Sequence, residues 1–456
     1  MERSAAGEIA NARAYFNTGQ TRSLDARLRV LRVLRQLLER YEAELIAAVE
    51  TDMDKAPYET FMTEMLPIYR EIDYYLKHLN KWHRETKKTK RSLFGRYKGA
   101  LIREPYGVVY IISSWSNPLL DCLLPLVDAL GAGNCVIIKT SQLNVHVTEL
   151  LQRILGEVFS PKLISVSAND HDYVESMIAA RPDFIFFTGR PSTGRHIMRL
   201  ASRFMIPLAL QMGGKNPCIV SESADIQDAA QKIIWGKLLN AGQTGWAPDY
   251  VFAHDHIKTH LIEAMIAILR STYGVDPTHN PEYQRVSSRQ EFDRLRKLMT
   301  SGRIMWGGRA NEETLQVEPT IIDRVSWTSP VMREEIFGPV LPVLSYRDFS
   351  QTLQRLNQLP SPLCFYLFSQ DNYEINLIKN YGRYGSCCIN DTVMNGMFPQ
   401  FPVGGIGMSG YGSYRGRAGF ELFTYPRVTT IAKTRPQSSR RYPPYPQNWK
   451  RLRRDL

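Results

Sequence analysis

GVVYIISSWSNPLLDCLLPLVDALGAGNCVIIKT, residues Gly107 to Thr140, decides the fold class. GVVYIISS is a short, β-rich apolar run, LLDCLLPLVDALGAG reads as a helix, and NCVIIKT is a second strand. Strand, helix and strand in such close succession form a crossover unit, which sets its strands parallel and its helices on the faces of the sheet. KLISVSA, a helix from Tyr173 and DFIFFTG extend the series. After Gly213 a second series begins: NPCIV, a helix over Ile226 to Leu239, YVFAH, a long helix from Ile257, then PTIID, PVLPVLSY, FYLFS and SCCIN. The expected fold class is therefore α/β, with two doubly wound parallel-sheet domains in tandem. Ahead of them, Ala26 to Thr51 and Tyr58 to Lys81 read as helices, and Asp391 to Gly412 as an extended loop or strand excursion rich in Gly, Pro and Met.

The totals agree with this reading. A chain of 456 residues suits two or three domains, and 43% apolar with 22% charged residues is a soluble globular composition. No apolar run approaches the roughly 18 to 20 residues of a membrane helix. The start, MERSAAGEIANARAYF, is polar and amphipathic without a signal-peptide core, which predicts a cytoplasmic protein. Six cysteines (122, 135, 218, 364, 387, 388) show no C-x-x-C spacing; reduced buried thiols are the simplest reading, with disulfides or a metal as alternatives. His254, His256 and His260 straddle a strand end and a helix start, and no metal is expected there. The net charge of +12 concentrates in KKTKR (Lys87 to Arg91) and in the tail. Neither interleaves with a nucleic-acid motif, so a solvated basic surface is expected, with at most weak association of the tail with a membrane or polyanion.

Two glycine-rich stretches fail as nucleotide motifs. GIGMSG (Gly405 to Gly410) fits G-x-G-x-x-G but follows PQFPVG rather than a strand and opens no clear helix. GRPSTGRH has Arg195 and His196 where a P-loop requires Lys and Ser or Thr. FIFFTG running into STGRHIMRLAS is nevertheless strand, Gly turn and helix, whose free N–H groups suit either a pyrophosphate or simply a tight turn.

PYGVVYIISSWSNP, IIKTSQ, FTGRPSTGR, QMGGKNPCIV, NAGQTGWAPDYV, EPTIIDRVSW, VMREEIFGPVLP, INDTVM and GGIGMSGYGSYRGRAGFELFTYPR occur in that order. With them the chain resembles the aldehyde dehydrogenase superfamily nearly end to end, most closely its class 3, fatty-aldehyde-like branch. The resemblance implies a cofactor domain over 1–83 and 105–208, a catalytic-type domain over 209–392, a bridging, subunit-pairing segment of 84–104 with 393–430, and a basic tail, 431–456. It also implies a homodimer and NAD or NADP as cofactor.

In the family a cysteine thiolate attacks the aldehyde, the thiohemiacetal gives a hydride to NAD(P)⁺, and a glutamate base activates the hydrolytic water. Carried over by motif, the nucleophile falls on Gly245, the base on Gln211 and the oxyanion asparagine on Ser116. Asn117, next to Ser116, is expected to point the other way on an extended chain. Trp246 either fills the space left by the thiol and narrows the substrate tunnel or packs into the core. Cys388 and Cys218 have no evident activating base. On the cofactor side the resemblance assigns Lys139 to the adenosine ribose, Glu335 and Phe337 to the nicotinamide ribose and ring, and Gly189 and Gly194 to the pyrophosphate turn. Trp115 is placed with them. Gln142 stands in place of a ribose-binding glutamate and Arg190 in place of a serine, which predicts tolerance of a 2′-phosphate. The expected function is a pseudoenzyme that keeps the fold and cofactor binding and acts as partner, scaffold or ligand sensor. Alternatives are an oxidoreductase with altered, noncovalent chemistry on aldehydes and a binding module that uses the basic tail.

Overall fold

Val108–Ile112 and Cys135–Lys139 are buried along their whole length, as strands covered on both faces must be. The computed structural model describes residues 4–92, 95–167, 171–280, 282–432 and 441–445. Among them the α/β expectation holds. The first sheet runs Gly410–Tyr411, Leu208–Met212, Phe184–Gly189, Val108–Ile112, Cys135–Lys139, Ile164–Val166, parallel except at its Gly410–Tyr411 edge. The second runs Arg303–Trp306, Thr320–Asp323, Val340–Tyr346, Tyr250–His254, Pro217–Val220, Cys364–Phe368, Ser386–Ile389, with only Arg303–Trp306 antiparallel.

Three sequence expectations change. The first domain does not stop at residue 208, because Leu208–Met212 hydrogen-bonds along Phe184–Gly189 and completes the first sheet. The segment 393–430 is not a single bridging unit. Gly410 pairs with Gln211 at the edge of the first sheet, and helix Gly416–Leu422 packs on helix Leu120–Ala132. A Cβ at Gly419 would lie 2.0 Å from Asp128 Oδ2, so glycine is what permits that approach. Only Thr424–Ala432 joins the hairpin Thr86–Ser92 and Gly95–Pro105, in a separate three-stranded sheet. The apparent helix from Ala26 to Thr51 breaks at Tyr41, between Leu24–Arg40 and Glu42–Met53. Most of the basic tail lies outside the described residues.

Two local features frame the centre of the molecule. The helical run from Pro57 to His83 contains a π turn, Phe61–Met65, which carries Glu64 into the interior. There Glu64 pairs with Lys55 at 2.8 Å, both side chains fully buried, and accepts the N–H groups of Leu119 and Leu120 at 2.8 and 3.1 Å. These are orphan donors at the start of helix Leu120–Ala132, so one carboxylate anchors the crossover helix. The helix ends at Gly133, φ +99, where a Cβ would meet the Arg27 guanidinium at 2.7 Å.

Candidate functional site

The carboxyl ends of the first sheet open into a cleft of about 1060 Å³ whose opposite wall comes from loops of the second sheet. Ser113 to Asn117 follow strand Val108–Ile112, Lys139 ends its strand, Gly189 leads into helix Pro191–Ser202, and Gln211 to Lys215 close the row. Facing them are Gly245, Trp246, Glu335 and Phe337. Parallel strands starting from one side bring these distant residues to one rim.

The loops of the opposite wall are fixed by a set of hydrogen bonds, some of them buried. Lys215 Nζ pairs with Asp249 at 2.5 Å and donates to the carbonyls of Val331 and Glu334 at 2.8 and 2.9 Å. Asp249 accepts from the Ile336 N–H at 2.8 Å, so Glu335 and Phe337 are held from both sides. Asn216 Nδ2 donates to the carbonyls of Gly245 and Ala247 at 2.8 and 3.0 Å. Asn240, left-handed at φ 56, ties this loop to the facing wall by donating to the Ser116 carbonyl at 2.8 Å.

Lys139, 8% exposed, lines the cleft, and burial lowers its pKa. No carboxylate pairs with it among the described residues, so its ammonium is available to an anionic or hydroxyl-bearing ligand. Helix Pro191–Ser202 starts at the same cleft, two strands away, with no side-chain cap. Gly194 brings that helix down onto the sheet, where a Cβ would sit 2.5 Å from Met212 Sδ. Arg190 differs from its expected role. Its guanidinium is bound to Glu291 at 2.5 Å, a carboxylate shared with Arg294, so its charge is partly offset and its side chain is held toward helix Arg289–Met299. Gln142 is exposed and does not line the cleft. Trp115 and Phe337 meet edge to face, centroids 5.7 Å apart, both at the cleft wall. Glu335 lies against Gly213, whose missing Cβ would fall 2.2 Å from Oε1. Burial, helped by the charge of Asp249, pushes the Glu335 carboxyl up to about 8, against the Gly214 N–H and two lysines.

At the other side, Gln211 Nε2 donates to the Gly412 carbonyl at 3.0 Å, and Gln211 Oε1 is buried with no partner among the described residues. Gly245 faces the cleft, and a Cβ there would come 3.3 Å from Gly213 Cα. Ser116 and Asn117 both line the cleft, because residues 115–119 bend rather than extend. The extended backbone on which Asn117 is expected to point away from Ser116 is absent there, and Asn117 lines both the cleft and a smaller cavity. Both readings of Trp246 apply at once. It lines the cleft and a second, small cavity of about 40 Å³ behind it. Its ring is also packed at Gly396, where a Cβ would meet Cζ3 at 2.8 Å, and lies 5.8 Å from the Arg415 guanidinium.

Asp121 belongs to none of the family motifs. It lines the cleft and receives the Ser114 hydroxyl at 2.5 Å, and Ser114 Oγ is 2.9 Å from Ser116 Oγ. Burial pushes the Asp121 carboxyl up to about 7. The usable signal was a lone acid inside the apolar run LLDCLL, since a carboxylate is seldom placed there without a partner. All six cysteines are free, none lines the cleft, and burial raises every thiol, Cys364 and Cys388 to about 11. Away from the cleft, His254 and His256 converge with Glu222, their ligand atoms within 4.8 Å of one another, whereas His260 does not join them. No helix among the described residues is long and apolar enough to cross a membrane.

The family model for the aldehyde dehydrogenase family matches residues 2–429. The chain is 35% identical over 446 residues, 97% of each chain, to a Staphylococcus aureus protein named 4,4'-diaponeurosporen-aldehyde dehydrogenase. It is 33% identical over 438 residues to a Canis lupus familiaris protein named aldehyde dehydrogenase, dimeric NADP-preferring, covering 96% of this chain and 97% of that one. Among solved structures, the substrate-bound state of Staphylococcus aureus AldH is similar over 98% of both chains, with TM-score 0.94 and 34% identity.

Proposed function

The chain belongs to the aldehyde dehydrogenase family, and on that premise we propose that it binds NAD or NADP in the cleft but does not carry out covalent aldehyde oxidation. One observation carries this reading: the cleft has no thiol among its lining residues, and Gly245 stands where the family motif puts the nucleophile. Gln211, an amide already donating to a carbonyl, takes the place of the base, and Ser116 that of the oxyanion amide. Loss of an oxyanion donor costs about 10²- to 10³-fold, and loss of a general base about 10²- to 10⁴-fold. Loss of the nucleophile removes the covalent route altogether, so these factors do not simply multiply. For that reaction the protein is a pseudoenzyme.

The cofactor side supports retention of the dinucleotide. Lys139, with no carboxylate partner among the described residues, and the uncapped helix start fit a polyanionic ligand. Lys139 and the helix N-terminus would hold its phosphates and ribose, and Glu335, Trp115 and Phe337 its nicotinamide half. When bound, the dinucleotide supplies hydride acceptance or donation. Subunit pairing through the sheet of the hairpin and Thr424–Ala432 is part of the same reading. The exposed Val428 and Ile431 and the name of the canine relative support it.

The test compares NAD(P)H formation from medium-chain aldehydes by the natural protein and by the triple variant Ser116→Asn, Gln211→Glu, Gly245→Cys. The Cβ that the cysteine adds at residue 245 needs the Gly213 backbone to give by a few tenths of an ångström. Turnover by the variant alone is expected; turnover by the natural protein would overturn the reading.

A further inference from the structure

Asp121, Ser114 and Ser116 form an unbroken hydrogen-bonded chain ending in the cleft. Ser114 Oγ lies 2.5 Å from Asp121 Oδ2 and 2.9 Å from Ser116 Oγ, and the Ser116 N–H also donates to Ser114 Oγ at 3.2 Å. All three residues line the same cleft wall as Gln211, and the Ser116 carbonyl is tied by Asn240 to the loop bearing Gly245. A hydroxyl in this position, backed by a carboxyl group, is a proton donor or acceptor for an oxygen placed beside it. We propose that Asp121, Ser114 and Ser116 are a proton relay serving the oxygen of a carbonyl ligand, and that the chain reduces an aldehyde or ketone without forming a bond to it.

The inference rests on dinucleotide binding as read above, and it needs neither thiol nor water-activating base. The carbonyl carbon gains a hydride from the reduced dinucleotide, and the C=O π pair takes the proton of Ser116. Ser116 is reprotonated from Ser114, Ser114 from the Asp121 carboxyl, and Asp121 from solvent. The products are an alcohol and the oxidised dinucleotide. In reverse, the same chain runs from alcohol to carboxylate.

The surroundings suit a group that exchanges its proton near neutrality. Burial raises Asp121 to about 7, the Ser114 hydrogen bond draws it down, and Glu64 raises it again, opposed by Lys55 and Arg415. Cys122 and Tyr414 also face it, and burial holds both neutral. Protonated Asp121 donates to Ser114, which turns every hydroxyl in the chain toward the ligand and favours a carbonyl acceptor. Ionised Asp121 turns the chain around and favours an alcohol donor.

Hexanamide, an unreactive carbonyl, and 1-hexanol are the probes, each titrated calorimetrically from pH 5.5 to 8.5. Hexanamide binding is expected to weaken above about pH 7, by up to about tenfold per pH unit, and hexanol binding to weaken below it. Asp121→Asn, a permanent donor to Ser114, should make hexanamide binding independent of pH, and Ser114→Ala should abolish both dependences. Parallel profiles for the two probes, or profiles unchanged in Asp121→Asn, overturn the relay. NADP⁺ and NAD⁺ binding is measured separately. Failure of both to bind removes the reading on which the reaction rests, while the two profiles still decide the relay. With dinucleotide bound and the profiles crossing, hexanal should yield hexanol with oxidation of NAD(P)H; no hexanol then overturns the reductase assignment.

Discussion

The two sides of the cleft treat charge in opposite ways. Around Lys139 a buried ammonium is left without a counter-ion among the described residues, and a helix start without a side-chain cap. Around Gly245 the polar groups are mostly engaged with one another, Gln211 Oε1 being the exception among the described residues. Asn216 holds the Gly245 carbonyl, Gln211 holds Gly412, and Ser114 holds both Ser116 and Asp121. A site that waits for an anion leaves its cation unpaired, whereas a site that handles a proton links its groups to one another. The difference separates a binding surface from a hydrogen-bonded wire within a single cavity.

Breaking the frame of the Gly245 side should have the largest effect. Glu64→Ala leaves Lys55 buried without its partner and frees two N–H groups, and should cost about 3–5 kcal/mol, read as a lowered urea midpoint. Its phenotype should be general unfolding, in contrast to the second substitution. Lys139→Met keeps the apolar stem and should leave the urea midpoint nearly unchanged. A charged hydrogen bond contributes about 1.5–3 kcal/mol, so dinucleotide affinity should fall roughly 10- to 150-fold by calorimetry. Equal affinity in this variant would mean that the unpaired ammonium is not part of the binding surface. The smallest effect is expected from Glu291→Gln. Releasing Arg190 should raise the NADP⁺ to NAD⁺ affinity ratio by at most about fivefold, the scale of a partly exposed ion pair, and less at high salt.

What the sequence made legible follows the range of the forces involved. The crossover strands are runs of β-branched and aromatic residues, so Val108–Ile112 and Cys135–Lys139 could be read from five residues each. Lys139, Glu335 and Phe337 were placed at the cleft from their motifs, and the structure brings them to one cavity. Three features were not legible for physical reasons. The pairing of Arg190 with Glu291 spans 101 positions and depends on how two helices meet. The bend at residues 115–119 turns Asn117 into the cleft, against the alternation of an extended chain. The boundary at residue 208 is implied by the resemblance alone, whereas the second strand series begins only after Gly213; the hydrogen bonds of Leu208–Met212 to Phe184–Gly189 assign that strand to the first sheet.

Trp246 stands between the cleft and the small cavity behind it, pinned on its far side at Gly396. No side chain could be added at Gly396 without moving the indole, because a Cβ there would already lie 2.8 Å from the ring. A residue 150 positions along the chain therefore fixes the partition between the two spaces, and its smallness is what lets an aromatic wall stand there at all.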